Sequence, residues 1–241
     1  MEWKTSLSKS DKDETLIRGY ELKELMKNVT FTEAIFLLLK GELPNKNERA
    51  MLDAIFVSSI DHGINPPSII AARSVASSGN SLNTAVAAGI SAIGDYHGGA
   101  IEKCAKLLSE TTDPIRLVKE SLENKQKLPG YGHKIYTEDP RTKTLFDIAK
   151  QNNLLGRYCK LALEIENELE KQKGKKLCLN VDGAIAALIL EMGFLWTLGK
   201  AFFIISRTVG ISAHDHEELT TEKPFRRLED SKYTGEDRRG L

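Results

Sequence analysis

The sequence predicts an all-α protein, on three observations. Helix start signals recur along the chain, apolar residues repeat at helical spacing between them, and alternating β-branched runs bounded by turn pairs are nearly absent. Parallel-sheet architectures need repeated strand–helix alternation, so they are excluded.

The elements follow in order. Thr30 and Glu33 form a capping box before the apolar run Ala34 to Leu39, with Gly41 and Pro44 as stop signals. From Asn47 to Ile60, Met51, Leu52, Ile55, Phe56 and Ile60 recur at helical spacing, and Gly63 ends the element. Asp113 with Pro114 supplies a cap and a first-turn proline for Ile115 to Lys125. Pro140 opens a helix through Lys150, Leu155 to Lys171 carries a Glu/Lys-rich outer face, and Leu198 to Leu219 is a last long helix. Only the segment around Ile135 and Tyr136 and the tail near Tyr233 have extended character. Glycine and proline cluster at Gly94 to Gly99 and at Leu128 to Gly132, where the chain is expected to bend or approach a ligand.

Composition narrows the class. In 241 residues, 34 Lys and Arg balance 34 Asp and Glu, so no global field would gather nucleic acid. Hydrophobic residues at 41% and charged residues at 28% exclude disordered and collagen-like chains. Three scattered cysteines, Cys104, Cys159 and Cys178, form neither a disulfide framework nor a zinc pattern, and fit a reducing interior. The first residues are too polar for a signal peptide, and runs such as Ala184 to Leu190 are too short to span a bilayer. The expectation is a soluble, cytoplasmic protein without a membrane partner.

Among five histidines, His97 in GDYHGGA and His133 in LPGYGH are flanked by glycines, which presents the ring rather than packing it. His62 sits in DHG at an expected helix end. His214 and His216 are two residues apart, about 200° around a helix, so they cannot share one ion. They are expected at a solvated helix end, and no metal site is predicted. Asp182 in LNVDGAIAAL is a carboxylate entering an apolar helix. It is either a cap or a group whose raised pKa suits proton transfer. Arg207, in FFIISRTVG, needs an anion if buried: a structural partner or a ligand carboxylate. Arg141 faces the same choice, with Asp139 at hand. The lysines around Gly174 are a run of the kind that usually caps a solvated helix, though a phosphate-bearing ligand is an alternative.

These segments carry a resemblance. DHGINPPSIIAARSVASSG, GDYHGGAIE, LPGYGHKIYTEDPR, LNVDGAIAAL and FIISRTVGISAH occur in the order and approximate spacing of the citrate synthase family, over roughly residues 30 to 235. GDYHGGA and LNVDG, with the short chain, are similar to the citryl-CoA lyase branch, including the citryl-CoA-cleaving module of ATP-citrate lyase. The resemblance implies a large helical dimerisation domain (1–110 and 200–241) and a small helical domain (111–199), shortened at the N-terminus relative to full-length synthases. It implies His97, His133 and Asp182 as the catalytic trio, with His133 taking the substrate hydroxyl proton. It further implies His62, Arg141, Arg207 and one of Arg226 or Arg227 as carboxylate holders. Coenzyme A, as a thioester substrate rather than a prosthetic group, would lie along Leu128, Pro129, Gly130, Tyr131, Gly132, Lys134, Lys173, Lys175, Lys176 and Asn180. The expected activity is cleavage of citryl-CoA to acetyl-CoA and oxaloacetate by a homodimer or tetramer. The alternatives are citrate synthase and a non-catalytic helical acyl-CoA-binding or partner subunit.

Overall fold

A computed structural model describes residues 2–133, 135–227, 230–236 and 238–240. A small antiparallel sheet comes first: β1 (Ser8–Ser10), β2 (Thr15–Ile17) and β3 (Tyr20–Glu21). Eleven helices follow among the described residues: α1 (Leu22–Asn28), α2 (Phe31–Lys40), α3 (Lys46–Ser59), α4 (Pro67–Ser77), α5 (Leu82–Ser91), α6 (Gly99–Glu110), α7 (Pro114–Glu123), α8 (Pro140–Gln151), α9 (Arg157–Lys173), α10 (Val181–Glu191) and α11 (Gly199–Thr221).

The expected caps are made. Thr30 Oγ1 accepts from the Glu33 N–H while Glu33 accepts from the Thr30 N–H, closing the box at the start of α2, and Gly41 ends that helix at φ +94°. Asn45 and Glu48 form a second box on α3. Asp113 caps α7 and Asp139 caps α8, each with proline in the first turn. The sheet is a departure from expectation. β1 pairs with β2 from Ser8–Ile17 to Ser10–Thr15, and β2 turns into β3 through Arg18 and Gly19, both at positive φ. Its strands are two or three residues long and largely polar or exposed, so no alternation marked them. The segments near Ile135 and Tyr233, expected to be extended, contain no strand among the described residues.

The chain forms two compact units, Met1–Asp61 with Ile93–Arg207, and His62–Ala92 with Thr208–Leu241. In this grouping α6 and α10 belong to one unit, where they pack along each other. In the first unit α10 is central, against α6, α8 and α9. From Val181 to Leu190 every residue but Asp182 is buried. Each fully buried side chain such as Ile185 or Leu188 contributes about 1.5–3 kcal/mol of apolar transfer. An edge-to-face series, Phe36 to Phe194 and Phe194 to Phe202, both 5.0 Å between centroids, anchors α2 to the start of α11.

In the second unit α4 and α5 approach closely. A Cβ on Gly89 would lie 2.9 Å from both the Ser68 carbonyl oxygen and Ile211 Cγ2, so only glycine allows that contact. Arg73 donates to Glu218 at 2.6 Å, and Arg226 donates to the same fully buried carboxylate at 2.7 Å. His214 is half-buried beside Arg73, its Nδ1 3.5 Å from Arg73 Nη1. That corrects its expected place at a solvated helix end, because this face of α11 packs on α4. His216 is exposed.

Candidate active site

His97 is carried by a tight turn. Gly94 and His97 exchange backbone hydrogen bonds at 2.9 and 3.0 Å, and the Gly99 N–H also donates to the Gly94 carbonyl, 3.0 Å. Gly98, at φ +87°, lies against the Phe203 ring, which a Cβ there would strike. The His97 ring meets Phe203 edge-on at 5.2 Å, and the Arg207 guanidinium lies 4.9 Å from the same ring. Burial, then the nearby Arg207 charge, pushes the His97 pKa down, so the ring is neutral at pH 7.

The Leu128–His133 loop is sewn to the strand-like segment before α10. Gly132 N–H donates to the Cys178 carbonyl (2.7 Å), Asn180 N–H to the Gly130 carbonyl (2.9 Å), and the Asn180 side chain to the Gly132 carbonyl (2.9 Å). The Tyr131 hydroxyl donates to the Ala162 carbonyl at 3.0 Å, which fixes the loop to α9. His133 Nδ1 accepts from the Ile135 and Tyr136 N–H groups, both at 3.1 Å. Backbone amides can only donate, so the neutral ring carries its proton on Nε2. In that tautomer His133 offers a donor at Nε2.

Asp182 sits in the first turn of α10 and is largely buried. Burial is the main cause raising its pKa; the Asp139 charge adds to it, while Arg141 and Arg207 oppose it. Asn180 caps α10 by accepting from the N–H groups of Asp182 and Gly183, at 3.0 and 3.2 Å. Asn180 thereby ties the Leu128–His133 loop to the start of α10. Arg141 pairs with Asp139 through Nε (3.0 Å) and Nη2 (2.9 Å). The structural partner foreseen for Arg141 is real, and it occupies one edge of the guanidinium. Arg207 donates from Nε to the Ser59 carbonyl at 3.0 Å, while its buried Nη1 has no hydrogen-bond partner among the described residues. Burial lowers its pKa, Asp61 and Asp182 oppose that, and Arg141 adds to it. Asp182, Arg141 and Arg207 thus act on one another electrostatically, and Arg207 acts on His97. An orphaned buried guanidinium nitrogen beside a buried carboxyl is suited to receive a ligand carboxylate.

Next to His133 opens a cleft of about 320 Å³, lined by Leu128, Tyr131, Gly132, His133 and Lys173. Lys127, Gln126, Leu122, Leu169 and Leu177 complete its wall. Sequence reasoning missed these five. Gln126 and Lys127 adjoin the glycine-rich loop, but Leu122, Leu169 and Leu177 come from α7, α9 and the segment after α9, which only the fold brings together. Of the other lysines, Lys176 pairs with Glu138 at 2.6 Å, and Lys175 is exposed outside the cleft wall. Pro129 is half-buried and Gly130 is buried beneath the loop. Lys134 lies outside the described residues.

The second unit holds the other candidates. His62 is exposed in the segment before α4. Arg226 is engaged by Glu218, whereas Arg227 stacks over its neighbour Phe225, 5.0 Å from the centroid. Among the described residues no group of three or more His, Cys, Asp or Glu side chains is disposed to hold a metal ion. Among them, too, no helix is long and apolar enough to cross a membrane.

Comparison with known proteins gives a consistent picture. The family described as citrate synthase, C-terminal domain, matches residues 1–52 and 46–228. Citryl-CoA lyase from Hydrogenobacter thermophilus is 54% identical, with a TM-score of 0.95 over 99% of this chain and 97% of that one. ATP citrate lyase from Methanothrix soehngenii, solved with citrate and coenzyme A, shares the fold at 21% identity and TM-score 0.85, over 98% of this chain and 42% of that one. Citrate synthase 2 of Bacillus subtilis is 30% identical over 231 residues, 92% of this chain and 60% of that protein. The chain spans about six tenths of the length of the first curated relatives it matches.

Proposed function

The chain belongs to the citrate synthase family, and from that premise we propose that it is a citryl-CoA lyase, splitting citryl-CoA into acetyl-CoA and oxaloacetate. The observation that carries this is the 54% identity to the Hydrogenobacter thermophilus citryl-CoA lyase across nearly the full length of both chains.

The site's chemistry supports it. Citryl-CoA holds a tertiary hydroxyl between free carboxylates and a thioester arm. Cleavage turns the hydroxyl-bearing carbon into a ketone, breaks one carbon–carbon bond and leaves a thioester enolate. Arg141 and the unpartnered Nη1 of Arg207 suit the carboxylates. Neutral His97 hydrogen-bonds the enolate oxygen, where charge develops. Asp182, whose pKa burial raises, gives its proton to the enolate carbon, forming the methyl of acetyl-CoA. His133 holds the reacting oxygen with Nε2–H, and the hydroxyl proton passes to solvent water as the ketone forms. The cleft beside His133, with Lys127 and Lys173, is suited to the coenzyme A arm. Carbon–carbon cleavage by these groups calls on no metal.

Assembly as a homodimer fits the second unit, where Ile70 of α4 is 53% exposed and Leu82 of α5 is 44% exposed. With Arg226 engaged by Glu218, Arg227 is the better candidate to reach a substrate carboxylate. Three free buried thiols suit a reducing, cytoplasmic setting.

A direct comparison of the two directions tests the proposal. Purified protein should form oxaloacetate from citryl-CoA, read through a malate dehydrogenase couple. Rapid conversion of acetyl-CoA and oxaloacetate into citrate with free CoA, and no splitting of citryl-CoA, would make it a synthase instead.

A further inference from the structure

The side chain of Asp139 is fully buried and makes four hydrogen bonds. Oδ1 accepts from the Arg141 backbone N–H and Nε, both 3.0 Å; Oδ2 accepts from Arg141 Nη2 at 2.9 Å and from the Val181 N–H at 3.1 Å. The first of these caps α8. The last reaches across 42 residues to the first turn of α10, one residue before Asp182. Asp139 thus bonds both a carboxylate-holding candidate and the turn that carries the acid.

We propose that Asp139 is a positioning residue, which fixes the Arg141 guanidinium and the Asp182-bearing turn of α10 relative to each other; the assignment rests on the lyase function proposed above. The geometry has a directional consequence. Asp139 takes the Nε–Nη2 edge of Arg141, so the edge facing away, Nη1 with the outer Nη2 hydrogen, is presented in one orientation to a ligand carboxylate. Freed from Asp139, the guanidinium would sample several rotamers and bind a carboxylate less well. Burial works to raise the Asp139 pKa, but the Arg141 side chain and the two backbone N–H groups outweigh it and hold the carboxyl below the ordinary range. Asp139 is therefore an anion at neutral pH, and its charge helps burial raise the Asp182 pKa.

The test is a double-mutant cycle read by oxaloacetate binding and by the pH profile of cleavage. Asp139→Asn and Asp139→Glu are each made in the wild type and in Arg141→Gln. Calorimetry should show oxaloacetate affinity falling about tenfold in Asp139→Asn, with less than about twofold further loss when Arg141 is already Gln. The basic limb of the cleavage profile, set by the protonated acid, should move to lower pH in Asp139→Asn and stay put in Asp139→Glu. A full, additive loss in the Arg141→Gln background, or wild-type affinity together with an unmoved limb, would overturn the assignment. If circular dichroism shows the Asn variant unfolded, the Glu variant alone decides, since its affinity loss must likewise vanish in Arg141→Gln. Binding needs no turnover. A wild type that binds oxaloacetate with this coupling yet leaves citryl-CoA intact would therefore sink the lyase function while retaining the positioning role.

Discussion

Gly130 and Gly183 lie face to face, so close that neither position has room for a Cβ. One on Gly130 would fall 2.8 Å from Gly183 Cα and 2.6 Å from Cys104 Sγ, and one on Gly183 would fall 2.6 Å from the Gly130 carbonyl oxygen. This contact seats the loop that ends in His133 on the turn that carries Asp182. Gly130 also sits at φ +84°. Gly130→Ala is expected to cost about 2–4 kcal/mol of stability and to lower cleavage more than it lowers the melting temperature would explain. Thermal denaturation with steady-state kinetics checks this; an alanine variant with wild-type stability would contradict the contact.

The two ring nitrogens of His133 have different roles. Nitrogen NMR of selectively labelled protein should show Nδ1 as the acceptor and Nε2 as the proton-bearing atom of the neutral ring, as the Ile135 and Tyr136 amides require. His133→Ala and Asp182→Asn are each expected to lower turnover at least about 100-fold with the fold retained. Near-wild-type rates in both would remove these residues from the reaction.

Asp215 on α11 is fully buried, and neither of its carboxylate oxygens has a hydrogen-bond partner among the described residues. Burial, with a smaller push from Glu218, raises its pKa to about 6 against the ordinary 3.8, although His214 and Arg73 oppose the shift. The folded state therefore holds this proton to higher pH than the unfolded chain does. Below pH 3.8 there is no penalty; as pH rises through 6 the group costs on the order of 2 kcal/mol. Relative to wild type, Asp215→Asn should gain about that much stability between pH 4 and pH 7.5 in urea titrations. A difference that does not change with pH would show that the carboxyl is not strained.

Glu191, at the end of α10, accepts from the Tyr158 and Cys159 N–H groups, the latter at 3.0 Å, and so caps α9 from another helix. Gly156 leaves the space for that carboxylate, which a Cβ there would strike. Glu191→Ala should destabilise the protein by about 1–2 kcal/mol without altering the pH profile of cleavage. Unchanged stability would mean that water replaces the cap.

What the sequence made legible was local. The capping box at Thr30 and the proline starts at Pro114 and Pro140 act within one turn, so their spacing reports them; the box at Asn45 emerged only in the structure. His97, His133 and Asp182 stood out because glycine beside a functional group signals a close approach. Helices α4 and α5 were hidden by their many small residues, Ala, Ser and Gly, which leave little amphipathic contrast. Asp139 was hidden differently: beside Arg141 in sequence it looked like a competitor for the guanidinium, and its bond to Val181 exists only in the fold. The cap that Asn180 makes on α10 was hidden too, because capping and ligand binding ask for the same residue type.

The most direct measurement of the central claim is cleavage of citryl-CoA by the wild-type protein in deuterium oxide, followed by mass spectrometry. If Asp182 protonates the enolate carbon with the thioester intact, the products are oxaloacetate and acetyl-CoA carrying a single deuterium on its methyl group, without free CoA. Free CoA with citrate, or citryl-CoA left whole, would contradict it.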